Sequence, residues 1–118
     1  MTDKASEFPH NPYCPLFQET MELIGRRWTA SILRALFVGR KRFTDIADTV
    51  PGLSHRLLSE RLDELRTAGL VTIESSATHG AYRLTERGKD LREAFSQIED
   101  WTARWYEADP QDQEQVDS

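Results

Sequence analysis

Apolar side chains return at three- and four-residue steps over most of this chain, the period of helices that bury one face. Leu16, Phe17, Met21, Leu23 and Ile24 make a first stripe, ended by Gly25. Trp28, Ile32, Leu33, Leu36 and Phe37 make a second, stopped at Val38-Gly39. A short third helix carries Ile46, Ala47 and Val50, with Thr44 as its expected N-cap and Pro51-Gly52 as the turn that follows. Ser54 is the expected cap of a fourth helix, whose buried stripe is Leu57, Leu58, Leu62 and Leu65. Gly69 stands where a helix-ending glycine belongs. The period then drops to two. Leu70–Glu74 and Ala81–Leu84 read as short strands, and the small polar run from Ser75 to Gly80 as a hairpin tip. Thr85 opens a last helix, along which Leu91, Phe95, Ile98, Trp101 and Trp105 keep the helical spacing.

That order predicts a mainly α fold with a small β-hairpin wing, a winged helix-turn-helix closed by a long C-terminal dimerisation helix. The third and fourth helices would be the helix-turn-helix pair. Residues 13–107 would form the domain. Residues 1–12, polar and holding Pro9 and Pro12, would be a flexible N-terminal arm, and residues 108–118 an acidic disordered tail.

Composition narrows the function. The chain has 118 residues, 38% of them hydrophobic and 30% charged, which suits one soluble domain with a modest core. No apolar run approaches a membrane span, and the first residues lack the basic-then-apolar order of a signal peptide. Cys14 is the only cysteine, so one chain builds neither a disulfide framework nor a multi-thiolate metal site. A cytoplasmic protein is the expectation. Cys14, His10, His55 and His79 lack metal-ligand spacing. No glycine-rich phosphate loop, His-Glu-x-x-His pattern or strained nucleophile turn stands out. No enzyme activity, cofactor or metal is expected.

The net charge of −5 argues at first against nucleic acid. Its distribution argues otherwise. Residues 1–25 carry one base against four acids, net −3; residues 26–66 nine against five, net +4; residues 67–118 five against eleven, net −6. A basic centre between acidic ends is expected where the middle meets phosphate. A recognition helix offers the exposed side chains of its N-terminal turns to the major groove. Here those are Ser54, His55, Arg56 and Ser59, with Glu60 and Asp63 on the same face. Arg56 suits guanine O6 and N7, His55 or Ser59 other base edges, and Ser54 a phosphate. Arg40, Lys41 and Arg42 form a basic cluster before the third helix, suited to phosphate contact or to plain solvation. Arg83 is a further candidate at the wing base, and His79 at its tip. Arg61 falls among the leucines and suits a structural ion pair.

Several ordered pieces resemble the HxlR family of bacterial transcriptional regulators. They are Cys14-Pro15, Ile24-Gly25-Arg26-Arg27-Trp28, Ile32-Leu33, Lys41-Arg42-Phe43-Thr44-Asp45-Ile46, Pro51-Gly52-Leu53-Ser54, Leu57 through Leu65, Gly69-Leu70-Val71 and Tyr82 through Gly88. The wing tip departs from the family pattern, having no proline or arginine. The resemblance implies double-stranded DNA as partner, bound as a homodimer at a pseudo-palindrome. It also implies a sensing role for Cys14, matching the N-terminal cysteine that several members use against disulfide stress, quinones or other electrophiles. Pro15 marks a helix start there, and helix N-termini favour the reactive thiolate. An inert place in a subunit interface is the alternative for Cys14.

One chain of this size does not readily cover both its first helix and its long last helix. Trp28, Phe95, Ile98, Trp101 and Trp105 are therefore the expected core, dimer-interface or ligand residues. Two other functions stay open: the same fold switched by a noncovalent apolar ligand between the first and last helices near Trp28 and Trp101, and a winged helix used for protein contact without specific DNA.

Overall fold

The computed structural model describes residues 12–74 and 80–106. Most of the arm expected for residues 1–12, the tail expected for residues 108–118, and the wing tip with His79 lie outside these described residues. Five helices and one hairpin follow in order. They are α1 (Pro15–Ile24), α2 (Thr29–Phe37), α3 (Phe43–Thr49), α4 (His55–Thr67), β1 (Val71–Glu74), β2 (Ala81–Leu84) and α5 (Glu86–Tyr106). The strands are antiparallel, with Val71 opposite Leu84 and Glu74 opposite Ala81. The protein is thus a mainly helical winged fold.

Helix ends explain how the elements are aimed. Ser54 caps α4: its hydroxyl oxygen accepts the Leu57 N–H at 3.1 Å. At the far end Gly69 takes φ 83, the Leu70 N–H reaches the Leu65 carbonyl at 2.9 Å, and the Gly69 N–H reaches Arg66 at 3.0 Å. This glycine-terminated stop turns the chain at once into β1. The same device ends α2. Gly39 at φ 100 lets the Arg40 N–H bond to the Ala35 carbonyl at 3.0 Å and throws the basic run Arg40-Lys41-Arg42 out of the helix. Thr85 joins the wing to α5. Its hydroxyl donates to the Gly69 carbonyl at 2.5 Å and accepts the Gly88 N–H at 3.1 Å.

Two starts differ from the sequence expectation. The second helix begins at Thr29, because Trp28 is its N-cap in a left-handed conformation, φ 80. The third begins at Phe43 with Arg42 as N-cap, so Thr44 lies inside it and caps nothing. Phe43 is drawn into the helix because its ring packs against the core. Val50 ends α3 in an extended conformation and is buried.

The core is one cluster. Ile32 and Leu33 of α2, Ile46 of α3, and Leu58, Leu62 and Leu65 of α4 are fully buried, with Val71, Leu84 and Phe95 joining them. Phe95 meets Phe37 edge-to-face at 5.3 Å, which fixes α5 on α2. No residue of α1 is buried; only Leu23 and Ile24 touch the core. Among the described residues no helix is long and apolar enough to cross a membrane.

Candidate nucleic-acid interface

The leucine stripe of α4 holds its inner side against the core, so the residues between the leucines face outward. Ser54, His55, Arg56 and Ser59 are all exposed. The Arg56 side chain is 89% exposed, with Glu60 as a neighbour at 3.3 Å. His55 packs edge-on against Phe43 of α3 at 5.3 Å, which ties the two helices of the pair together at the outward end. Gly52, at φ 86 in the turn between them, lies under the Trp28 ring; a Cβ there would meet that ring at 3.4 Å.

The basic loop is placed by the wing. Tyr82 donates its N–H to the Lys41 carbonyl at 2.8 Å, and Arg42 bridges to Ala81. The segment before α3 therefore meets the edge of β2 at a single isolated bridge. Arg40, Lys41 and Arg42 are exposed, and among the described residues none of them is in an ion pair. Arg83 is exposed on β2 but shares its charge with Glu74 at 3.2 Å. The basic loop runs directly into α3, with Arg42 as its N-cap, and its backbone contacts with β2 fix it to the wing.

The spacing of Arg61 among leucines showed its inward position, but not its partners. Its side chain is 11% exposed and reaches Glu64 at 3.1 Å. Its Nε donates to the Arg27 carbonyl at 3.0 Å, a contact between segments far apart in sequence. Two further pairings left no sequence signal. Arg34 on α2 donates to Glu99 on α5 at 2.6 Å, and Arg92 donates to the Phe37 carbonyl at 3.0 Å. The Arg34 bond, ahead of the charge attraction, holds the Glu99 carboxyl below the usual carboxylate range and raises the Arg34 guanidinium.

Residues 23–110 match the HxlR-like helix-turn-helix family. The chain belongs to that family. Among its HxlR-type relatives in Bacillus subtilis, the HTH-type transcriptional regulator YodB is 33% identical over 100 residues, 82% of this chain and 89% of YodB. The regulator YvaP is 37% identical over 95 residues, covering 78% of this chain and 88% of YvaP. The crystal structure of quinone-bound YodB superposes with a TM-score of 0.70 at 34% identity, covering 78% of this chain and all of that one. The reduced form of the redox regulator HypR matches with a TM-score of 0.66 at 27% identity, covering 76% of this chain and 94% of that one.

Two further features of this HxlR-type chain bear on regulation. Cys14 is exposed and is the N-cap of α1, with Pro15 in the first helical turn and no side-chain cap bond from the thiol. Leu16 (74%), Phe17 (53%), Ile98 (54%), Trp101 (50%) and Trp105 (65%) expose apolar surface on α1 and α5. The other two expected interface residues are packed inside: Phe95 is buried and Trp28 half-buried. A cavity of about 630 Å³ opens between α1, α2 and α5, lined by Met21, Ile24, Ala30, Arg34, Phe95 and Ile98 among others. Trp28 and Trp101, expected near such a ligand space, do not line it. The left-handed backbone of Trp28 sends its ring to Gly52, and Trp101 lies on a different stripe of α5 from Phe95, Glu99 and Thr102.

Proposed function

We propose that this chain is a homodimeric, sequence-specific DNA-binding regulator that lays the first turns of α4 in the major groove of a pseudo-palindromic operator. Arg56 reads a base edge, His55 and Ser59 adjoin other edges, and Ser54 meets a phosphate. Arg40, Lys41 and Arg42 contact backbone phosphates, with Arg83 at their margin. The observation that carries this reading is the exposed N-terminal face of α4 on a helix whose other side is locked by three fully buried leucines. The apolar face of α1 and α5 supports a two-fold pairing, which sets two recognition helices about 34–36 Å apart for successive major grooves.

The test uses a duplex selected from a random pool by the protein itself. Arg56→Ala is expected to cost about 1–3 kcal/mol on that duplex and to relax its specificity, while Lys41→Ala weakens all duplexes alike. Equal affinity of both variants and the parent overturns the assignment.

Chemical modification of Cys14 is the proposed switch, supported by its exposure at the α1 N-terminus and by kinship with YodB and HypR. Diamide would take two electrons and two protons from a pair of thiols, one from each protomer, becoming its hydrazine as the two sulfurs join in a disulfide. A second reading is favoured by the α1–α2–α5 cavity: an apolar ligand held there without covalent chemistry. Cys14→Ser separates them. It abolishes the response under the first reading and leaves it intact under the second.

A further inference from the structure

Charged side chains running from Arg26 along one flank of α4 out to its open face form a continuous series of ion pairs. Arg26 Nε lies 3.2 Å from Glu64 Oε1, and Glu64 Oε2 lies 3.1 Å from Arg61 Nη1. The same Nη1 stands 4.0 Å from Glu60 Oε1, and Glu60 Oε2 is 3.3 Å from Arg56 Nε. Signs alternate at every step from the α1–α2 corner to the proposed base reader. Arg61 is the rung that differs. It is nearly buried, and it alone also grips backbone, through the Arg27 carbonyl.

The corner it grips is itself fixed. The Arg27 guanidinium lies over the Trp28 ring at 5.0 Å, Trp28 holds a left-handed backbone, and its ring covers Gly52 in the helix-turn-helix turn. The corner therefore holds α4 twice, through Arg61 from within the helix and through Trp28 at the turn before it. Exposed ion pairs contribute little stability, so the value of such a ladder is geometric. A stripe of leucines resists separation better than it resists a small rotation. A roll of about 10° carries a guanidinium about 8 Å from the helix axis by about 1.4 Å, well beyond the ~0.5 Å tolerance of a preorganised site.

We propose that Arg61 is a positioning residue for DNA reading: it fixes the roll of α4 against the α1–α2 corner and so sets where Arg56 meets the base edges. The proposal rests on the DNA reading above, yet Arg61 itself is assigned no contact with DNA. Arg61→Lys keeps the charge and loses the two-pronged grip, and Glu64→Gln breaks the ladder from the other side. Both are tested by fluorescence anisotropy on the selected duplex and on a scrambled one, over a range of salt, with a thermal melt of each variant.

The expected result is a fall of about tenfold in affinity for the selected duplex, the scale of one lost base contact, with scrambled-duplex affinity and salt slope unchanged. Unchanged preference in both variants overturns the proposal. So does an equal loss on both duplexes, which marks a general electrostatic or folding effect. A readout without DNA stands beside it: in nitrogen-15 spectra of the parent, the Arg61 Nε–H should exchange far more slowly than that of Arg56. Equal exchange refutes the grip on Arg27 even if a variant fails to fold. A parent with no preference for the selected duplex defeats the DNA reading instead, and slow Arg61 exchange then still reports the grip.

Discussion

Gly88→Ala puts the junction between wing and last helix to a direct test. In an ordinary exposed helix this change stabilises by about 0.8–1.0 kcal/mol, because alanine is the better helix former. Here the sign should reverse. A Cβ on Gly88 would press into the Leu70 carbonyl oxygen and stand 3.1 Å from Leu84 Cδ2. That carbonyl already accepts the Thr85 N–H at 3.0 Å, and Thr85 in turn holds the Gly69 carbonyl and the Gly88 N–H. The oxygen cannot retreat without loosening the link that roots both strands of the wing. Overpacking of this kind costs about 1–3 kcal/mol, and rigid backbone on the receiving side places it in the upper half. Against the propensity gain, a net loss of about 1–2 kcal/mol remains, or roughly 5–15 °C in the melting midpoint of a domain this size. Far-UV circular dichroism melts measure it. Gly39→Ala is the comparator, since nothing lies within 4 Å of its Cβ and its cost is confined to the left-handed φ of 100. A Gly88→Ala protein that melts at or above the parent's midpoint refutes the described packing.

Three other outcomes follow from named contacts. Trp101→Glu should dissociate the proposed dimer: losing about 1.5 kcal/mol of apolar burial from each of two copies raises the dissociation constant roughly a hundredfold, and an unchanged sedimentation profile counts against that interface. The Glu99 carboxyl is held below its ordinary range in the folded state, by the hydrogen bond from Arg34 first. Its stabilisation is therefore complete above the unfolded-state pKa and is lost as pH falls through the folded one. Urea titrations from neutral pH into acid should show a shallower acid loss in Glu99→Gln, and parallel curves would exclude a role for the pair. Last, the three unpaired basic side chains of the Arg40–Arg42 loop in each protomer predict that log affinity falls with log salt at a slope of about −5 for the proposed dimer, and Lys41→Ala should reduce it by about 2.

The helices and the hairpin were legible from the period of their apolar positions, most plainly where the stripe is buried against its own chain. Leu58, Leu62 and Leu65 repeat at helical steps and are fully buried, and Ser54 and Gly69 mark the ends of that helix as their chemistry suggests. Local rules failed where a distant group decides the conformation. Trp28 looked like one more helical apolar residue. Its left-handed φ answers to Gly52, 24 positions on, and no periodicity carries that information. Thr44 looked like a cap, yet with Phe43 packed on the core the helix starts two residues earlier than a Thr44 cap would place it. The α1 stripe was read correctly as amphipathic, but period alone does not say whether a stripe faces its own core or another surface. Leu16 at 74% exposure faces outward. The candidate DNA face was legible as residue types on the open side of one helix. The attachment of Lys41 and Arg42 to β2 was not, since backbone hydrogen bonds between separate segments leave no compositional trace.

The charge count, too, changes meaning once partners are known. Nine bases lie between residues 26 and 66, but Arg26, Arg34, Arg56, Arg61 and Arg66 each pair with a carboxylate, and Arg27 covers Trp28. Arg40, Lys41 and Arg42 are left, at the one place where the chain leaves α2 and joins the wing. On the DNA reading proposed above, these three would serve attraction, and of the paired bases Arg56 alone is assigned a base contact. Such a division would keep general attraction to DNA modest, because few phosphates are neutralised. On that reading discrimination comes from how well α4 is aimed, and Arg26 and Arg61, which are assigned no contact with DNA, are the cations paired along its flank.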